Sequence, residues 1–259
     1  MKLRLEYVLS FKNPATRQER IEDFDHLPKT LQEAYERLWA RLRLDKSDEY
    51  EKCDILKAFA WILYSRRPLC VDELAEVLSV REGHLGLKQG RIMREEDILE
   101  LCCGFVVVHS EGTLQFTHQT AQIFLQEHHL NDIRPRRHDI VMACLSYLQF
   151  SEFEKGEYVQ DSLKTRYKAL DYIAHHWGNH AKEEEHSPDV QRPVLAFLAS
   201  ERKRNWMLKA KRGGKFIPGQ TLLQIVVEPE NGLGTICRLV LQEHLNEDVK
   251  RYSLAISAY

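Results

Sequence analysis

Gly104-Phe105-Val106-Val107-Val108-His109-Ser110-Glu111-Gly112-Thr113-Leu114-Gln115-Phe116-Thr117 is the stretch on which the fold turns. Before it, apolar residues recur at helical spacing. From Phe105 to His109 the chain is short and β-branched, and from Thr113 to Thr117 it alternates. Ser110-Glu111-Gly112 supplies a turn, so the stretch predicts one β-hairpin. Gly104 sits where a helix over 95–103 must stop, and glycine there takes the left-handed conformation that closes a helix.

Upstream, Leu31, Ala34, Tyr35, Leu38, Trp39 and Leu42 form one stripe of a helix over 30–42. Thr30 and Glu33 make a capping box, with Pro28 just outside it. A helix over 52–64 turns Ile55, Leu56, Phe59, Ile62 and Leu63 inward. After the turn Ser65-Arg66-Arg67-Pro68-Leu69, a helix over 71–80 has Leu74, Val77 and Leu78 on its inner face. Asp72 and Glu73 stand in its first turn, where carboxylates suit the helix dipole. Gly83, Gly86 and Gly90 mark a loop.

Downstream, helical spacing resumes at 120–130, and Pro135 marks a boundary. Ile140, Val141, Cys144, Leu145 and Leu148 form the next apolar face. Residues 151–162 read as a polar loop. Leu170, Tyr172, Ile173 and Trp177 mark another helix, ending in Glu183-Glu184-Glu185. Val194, Leu195, Phe197 and Leu198 mark one more, and the basic run 202–215 reads as a solvated linker.

Three helices, a hairpin and a further helix are the order of a winged-helix module, with the helix 71–80 in the recognition position. A DNA-reading helix presents Arg, Lys, Asn or Gln. This one is expected to present Asp72, Glu73 and Glu76, which repel phosphates, and Arg66 and Arg67 do not offset them. A protein contact is therefore expected, with a winged-helix nucleic-acid-binding protein as the alternative.

The whole composition fits such a chain. The 259 residues are 43% hydrophobic and 29% charged with a net charge of −2, so a real core can form and no global field attracts nucleic acid. The six cysteines contain no CxxC spacing and five lie in or beside apolar runs, which points to buried reduced thiols. Charges at Lys2 and Arg4 leave no apolar leader, and no run approaches the roughly 20 apolar residues of a membrane span. A cytoplasmic protein is the expectation.

Several motifs together resemble a known family. Leu27-Pro28-Lys29-Thr30-Leu31-Gln32-Glu33-Ala34-Tyr35-Glu36-Arg37-Leu38 resembles the segment that follows the NACHT nucleotide-binding domain in fungal NACHT–ankyrin proteins, which are NLR-like STAND switches. Trp61 to Leu78, with Arg66-Arg67-Pro68-Leu69, resembles a signature of the same proteins. So do Ile98 to Val106 and Phe116-Thr117-His118-Gln119-Thr120 through Leu125. The set is similar to the GPI inositol-deacylase-type winged-helix domain. Leu170 to Ala181, with His176-Trp177 and His180, resembles the helix that follows it. The resemblance covers roughly 20–200 and implies a regulatory module of a signal-transduction protein. Cys70, Thr120 and Gln122 depart from its commoner residues. No G-x-x-x-x-G-K-[ST] is present, so nucleotide hydrolysis does not carry over.

Thr221 to Val227, Asn231-Gly232-Leu233 and Ile236 to Leu241 resemble a degenerate ankyrin unit, and a second is expected at Tyr252, 31 residues on, near the repeat period of about 33. About three repeats are needed for a stable array, so a fragment, a truncated gene model or a docked remnant is expected.

Reactive chemistry has little footing. There is no G-x-S-x-G elbow for a hydrolase. His176 and His180 lie one helical turn apart, a spacing that can hold zinc, but no third ligand is obvious nearby, Glu183 and Glu184 being only generic candidates, and packing and polar surface are the preferred reading. His118, between strand and helix, is expected to make a structural hydrogen bond. The expected fold is mainly α, a winged-helix module with one β-hairpin followed by a helical bundle and ankyrin-like helix pairs. The expected parts are an N-terminal linker (1–26), the winged-helix domain (27–132), a helical domain (133–200), a basic linker (201–217) and the ankyrin-like start (218–259). No enzyme activity, cofactor or metal is expected. The partners are proteins or neighbouring domains, and the motif residues that carry the reading are Arg66, Arg67, Pro68, His118, His176, Trp177 and His180.

Overall fold

The structure is a computed structural model that describes residues 28–42, 44, 49–155, 165–211, 233–234 and 236. Helix α1 (Leu31–Arg41) begins as the sequence predicts. The Thr30 side chain accepts from the Glu33 backbone N–H at 3.1 Å, while Glu33 reaches back to the Lys29 N–H at 2.9 Å. Helices α2 (Glu49–Tyr64) and α3 (Val71–Ser79) follow, then a 3-10 turn (Gln89–Arg91) and α4 (Glu95–Leu101). Helix α4 stops where Cys103 and Gly104 take φ of 47° and 83°, the left-handed region that a glycine enters freely.

Strands β1 (Val106–Val108) and β2 (Leu114–Phe116) pair antiparallel, with Val106 opposite Phe116 and Val108 opposite Leu114. Phe105, Val106 and Leu114 are buried beneath the hairpin, and Val107 faces out. Cys70 adds a single bridge to Thr113, and the Leu114 N–H donates to the Leu69 carbonyl at 2.8 Å. The turn before α3 is thereby stitched to the edge of the hairpin.

Helix α5 (Gln119–His128) packs on β2 and α1. Helix α6 (Leu130–Ile133) and a 3-10 turn (Arg134–Arg136) carrying Pro135 run directly into α7 (Arg137–Leu148). Proline suits the first turn of a helix, where its missing N–H has no partner to lose. The expected boundary at 132–133 is therefore no break in packing. Helix α7 lies against α2 and α3 on one side and against α9 (Leu170–Glu183) and α10 (Pro188–Ala199) on the other. One apolar core runs through all of them, with Trp61 and Trp177 each only 1% exposed.

Two segments differ from expectation. Part of the polar 151–162 loop is a short helix, α8 (Glu152–Lys155), with Phe150 and Phe153 buried beside it. The basic linker begins as a helix, α11 (Glu201–Lys211), with Trp206, Met207 and Leu208 buried. Trp206 stacks on Phe153 with ring centroids 3.7 Å apart. An apolar triplet among lysines and arginines reads as solvated by composition, yet it is enough to dock one face of a helix. The N-terminal linker (1–26) lies outside the described residues. So does the ankyrin-like segment, apart from 233–234 and 236, where Leu233 and Ile236 are buried. No helix among the described residues is long and apolar enough to cross a membrane.

Candidate functional site

The chemistry-bearing side chains gather where α9 crosses the turn before α3. Arg66 and Arg67 enter from that turn. The Arg66 N–H donates to the Tyr172 hydroxyl at 3.1 Å, and its guanidinium pairs with Glu183 at the far end of α9. Arg137, at the start of α7, grips the same Glu183. Arg67 pairs with both oxygens of Glu73, at 2.7 and 2.6 Å, and its guanidinium lies 5.1 Å from the centre of the Tyr172 ring. Glu73 also accepts the Cys70 N–H at 2.8 Å, supplying the cap that a cysteine side chain provides poorly.

Tyr172 is the hub. Its hydroxyl shares a 2.8 Å hydrogen bond with His180 Nε2, and its ring meets Trp61 edge-on at 6.0 Å. Burial pushes its phenol up to about 12. Burial, aided by the nearby Arg66, pulls His180 down to about 3, so this imidazole is neutral.

A second contact joins α3 to the start of α9. Glu76, only 3% exposed, accepts from the Tyr147 hydroxyl at 2.7 Å, the Lys168 N–H at 2.8 Å and the Ala169 N–H at 3.0 Å. One carboxyl thus satisfies a phenol on α7 and two backbone donors of the turn that leads into α9. Burial raises Glu76 above the ordinary carboxyl range despite these donors, and burial raises Tyr147 as well.

The sequence-predicted residues divide accordingly. Arg66, Arg67, His176 and His180 converge on Tyr172, with the His176 ring centroid 4.9 Å from it. Exposed Pro68 leads the chain into the Cys70 bridge. Trp177 is core, edge-on to Phe197 at 5.3 Å. His118 lies apart from the junction. It caps α5, with Nδ1 accepting the Thr120 N–H at 3.2 Å. His180 is spent on Tyr172, and among the described residues no group of three His, Cys, Asp or Glu side chains is gathered to hold a metal. Sequence reasoning passed over Glu76, Tyr147, Tyr172 and Arg137 as site residues and weighed Glu183 only as a generic metal ligand. Their pairing joins positions up to 117 residues apart, which no local spacing reveals.

A cavity of about 270 Å³ opens between α2, α3 and α7. Of its lining residues, Lys57 pairs with Asp139 at 3.8 Å and Arg81 pairs with Asp54 at 2.8 Å, and Trp61, Val77 and Met142 line it as well. Its one histidine, His138, shares the lining with no Ser, Thr or Cys.

Residues 44–142 match the family model for the winged helix domain of GPI inositol-deacylase. The match takes in α2 through the first half of α7, less than half of the chain. No curated protein and no solved structure matches the chain. Because the match begins after α1, the three helices before the hairpin of this winged-helix domain are α2, α3 and α4. The recognition position belongs to α4, and the assignment of the 71–80 helix to it is corrected. The expectation that this helix presents Glu73 and Glu76 is corrected too. Both are buried, and Asp72 is the one exposed residue of α3. Those carboxylates turn inward because their partners lie on the Arg67 turn, on α7 and at the start of α9. The outer face of α4 instead carries Glu95, Glu96 and Glu100, with Arg94 held by Asp97 at 2.9 Å.

Proposed function

We propose that this chain is a non-catalytic regulatory and protein-interaction segment of a NACHT–ankyrin-type signalling switch, in which the winged-helix domain and the helices after it act as one lever between neighbouring modules. The burial of α3 carries the reading: Asp72 alone faces solvent, and Glu76 ties the helix to the start of α9. A helix so enclosed transmits displacement by packing. The acidic outer turn of α4 supports the same reading, since Glu95, Glu96 and Glu100 repel a phosphate backbone.

Two assays on the full chain test it. Fluorescence anisotropy with labelled duplex DNA at about 0.15 M salt is expected to show no binding. A salt-dependent increase that disappears in Arg66→Ala/Arg67→Ala would move the protein to the nucleic-acid class. ATP and ester turnover are expected to stay at the background rate, and turnover that rises with chain concentration and survives repurification would end the non-catalytic reading.

A further inference from the structure

The lysine and the arginine that line the cavity between α2, α3 and α7 are in opposite states. Arg81 is spent. Its guanidinium donates to both oxygens of Asp54, at 2.8 and 3.0 Å, and to the carbonyls of Leu78 and Val80. It thereby covers the carbonyl end of α3, which would otherwise repel an anion. Lys57 is not spent. Its side chain is only 18% exposed, and its ammonium stands 3.8 Å from Asp139 Oδ1, beyond hydrogen-bond reach. Among the described residues it makes no hydrogen bond. An ammonium has three donors to place, and a buried charge is costly until they are placed. His138 lines the cavity as well and likewise makes no hydrogen bond among the described residues, so its ring N–H is a second free donor.

The acids of the lining do not cancel this. Asp139 is flanked by two cations, Lys57 and Arg136, the latter at 3.4 Å. Glu82 is an exposed residue. The other side of the cavity is apolar, with Trp61, Val77, Val80 and Met142. A few placed donors over an apolar wall are the ordinary make-up of a small-molecule site.

We propose that this cavity binds a small monocarboxylate with an apolar body. The carboxylate accepts from the Lys57 ammonium and the His138 ring N–H, and the body lies against Val77, Val80 and Met142. One uncommitted cation matches one negative charge. A phosphate dianion would meet Asp139 and Glu82 with no second cation to spare, since Arg81 and Arg136 are each held by an aspartate. The volume, about 270 Å³, lies just under the roughly 300–1,000 Å³ of drug-sized sites, so the body is one ring or a short branched chain. Binding here is independent of the lever reading and implies no turnover.

The test is titration of the full chain with phenylacetate at neutral pH, read by NMR at isotope-labelled methionine methyls. Met142 lines the cavity, and Met93 and Met207 do not, so they are internal controls. The expected result is a saturable shift at Met142 with a dissociation constant of about 1 mM or below. Phenylacetamide has the same shape without the charge. It should bind the native chain at least about tenfold more weakly, the usual worth of a charge-assisted hydrogen bond. Lys57→Gln should weaken phenylacetate to the same degree and leave phenylacetamide unchanged. Should Lys57→Gln not fold, the acid and amide compared on the native chain decide alone. No saturable shift at Met142, equal binding of acid and amide, or phenylacetate binding unchanged by Lys57→Gln overturns the proposal. So does a shift confined to Met93 and Met207.

Discussion

Glu76→Ala is the perturbation that separates a structural joint from an incidental contact. It leaves three donors unpaired in a closed space, namely the Tyr147 hydroxyl and the Lys168 and Ala169 N–H groups. An orphaned donor costs about 1 kcal/mol at the low end of the measured range, so the three together cost about 3 kcal/mol. Removing a buried charge with no cationic partner recovers part of that, and the expected net loss is about 2 kcal/mol. For a folded part of about 170 residues this lowers the melting temperature by roughly 6 °C. Urea unfolding at neutral pH, followed by tryptophan fluorescence, reads it directly. Trp61 and Trp177 lie in the shared core on either side of the joint. A loss under about 0.5 kcal/mol, the range of ordinary surface substitutions, would refute the idea that this carboxyl ties the two parts together.

Three further outcomes follow from the same geometry. Arg67→Ala leaves Glu73, which is 6% exposed, with only the Cys70 N–H, and should cost about 2 kcal/mol in urea unfolding; a neutral result would mean the pair is dispensable. His180 has a lowered proton affinity in the fold, so its contribution is present above pH 6.5 and is lost as pH falls from there toward about 3; His180→Gln should flatten that acid limb of stability, measured as urea midpoints across the range. His118→Ala removes a helix cap and should cost about 1 kcal/mol, with hydrogen exchange at the start of α9 unchanged.

Much of the fold was legible in the sequence because its signals are local. The stripe from Leu31 to Leu42, the turn chemistry of Ser110-Glu111-Gly112 and the glycine after Cys103 each act within a few residues, and each is found where it was expected. Registration was harder. Counting helices from residue 30 put the 71–80 helix in the recognition position, whereas the matched domain starts at 44 and moves that position to α4. The joint was not legible. A glutamate amid leucines and valines reads as solvent-facing, and Glu76 turns inward only because Tyr147, Lys168 and Ala169 come 71, 92 and 93 residues later. Helix α11 escaped for the opposite reason. Its Trp206-Met207-Leu208 face is short, and the Lys and Arg residues around it dominate any average.

On the lever reading, the winged-helix domain and helices α9 to α11 behave as one mechanical body. Native-state hydrogen exchange under increasing denaturant, read at amides of α2 and α9 in the native chain and in Glu76→Ala, tests it most directly. A single body predicts one opening free energy shared by both helices and an equal drop in both when Glu76 is removed. Opening of α9 at low denaturant while α2 stays protected, with only α9 responding to the substitution, would contradict it.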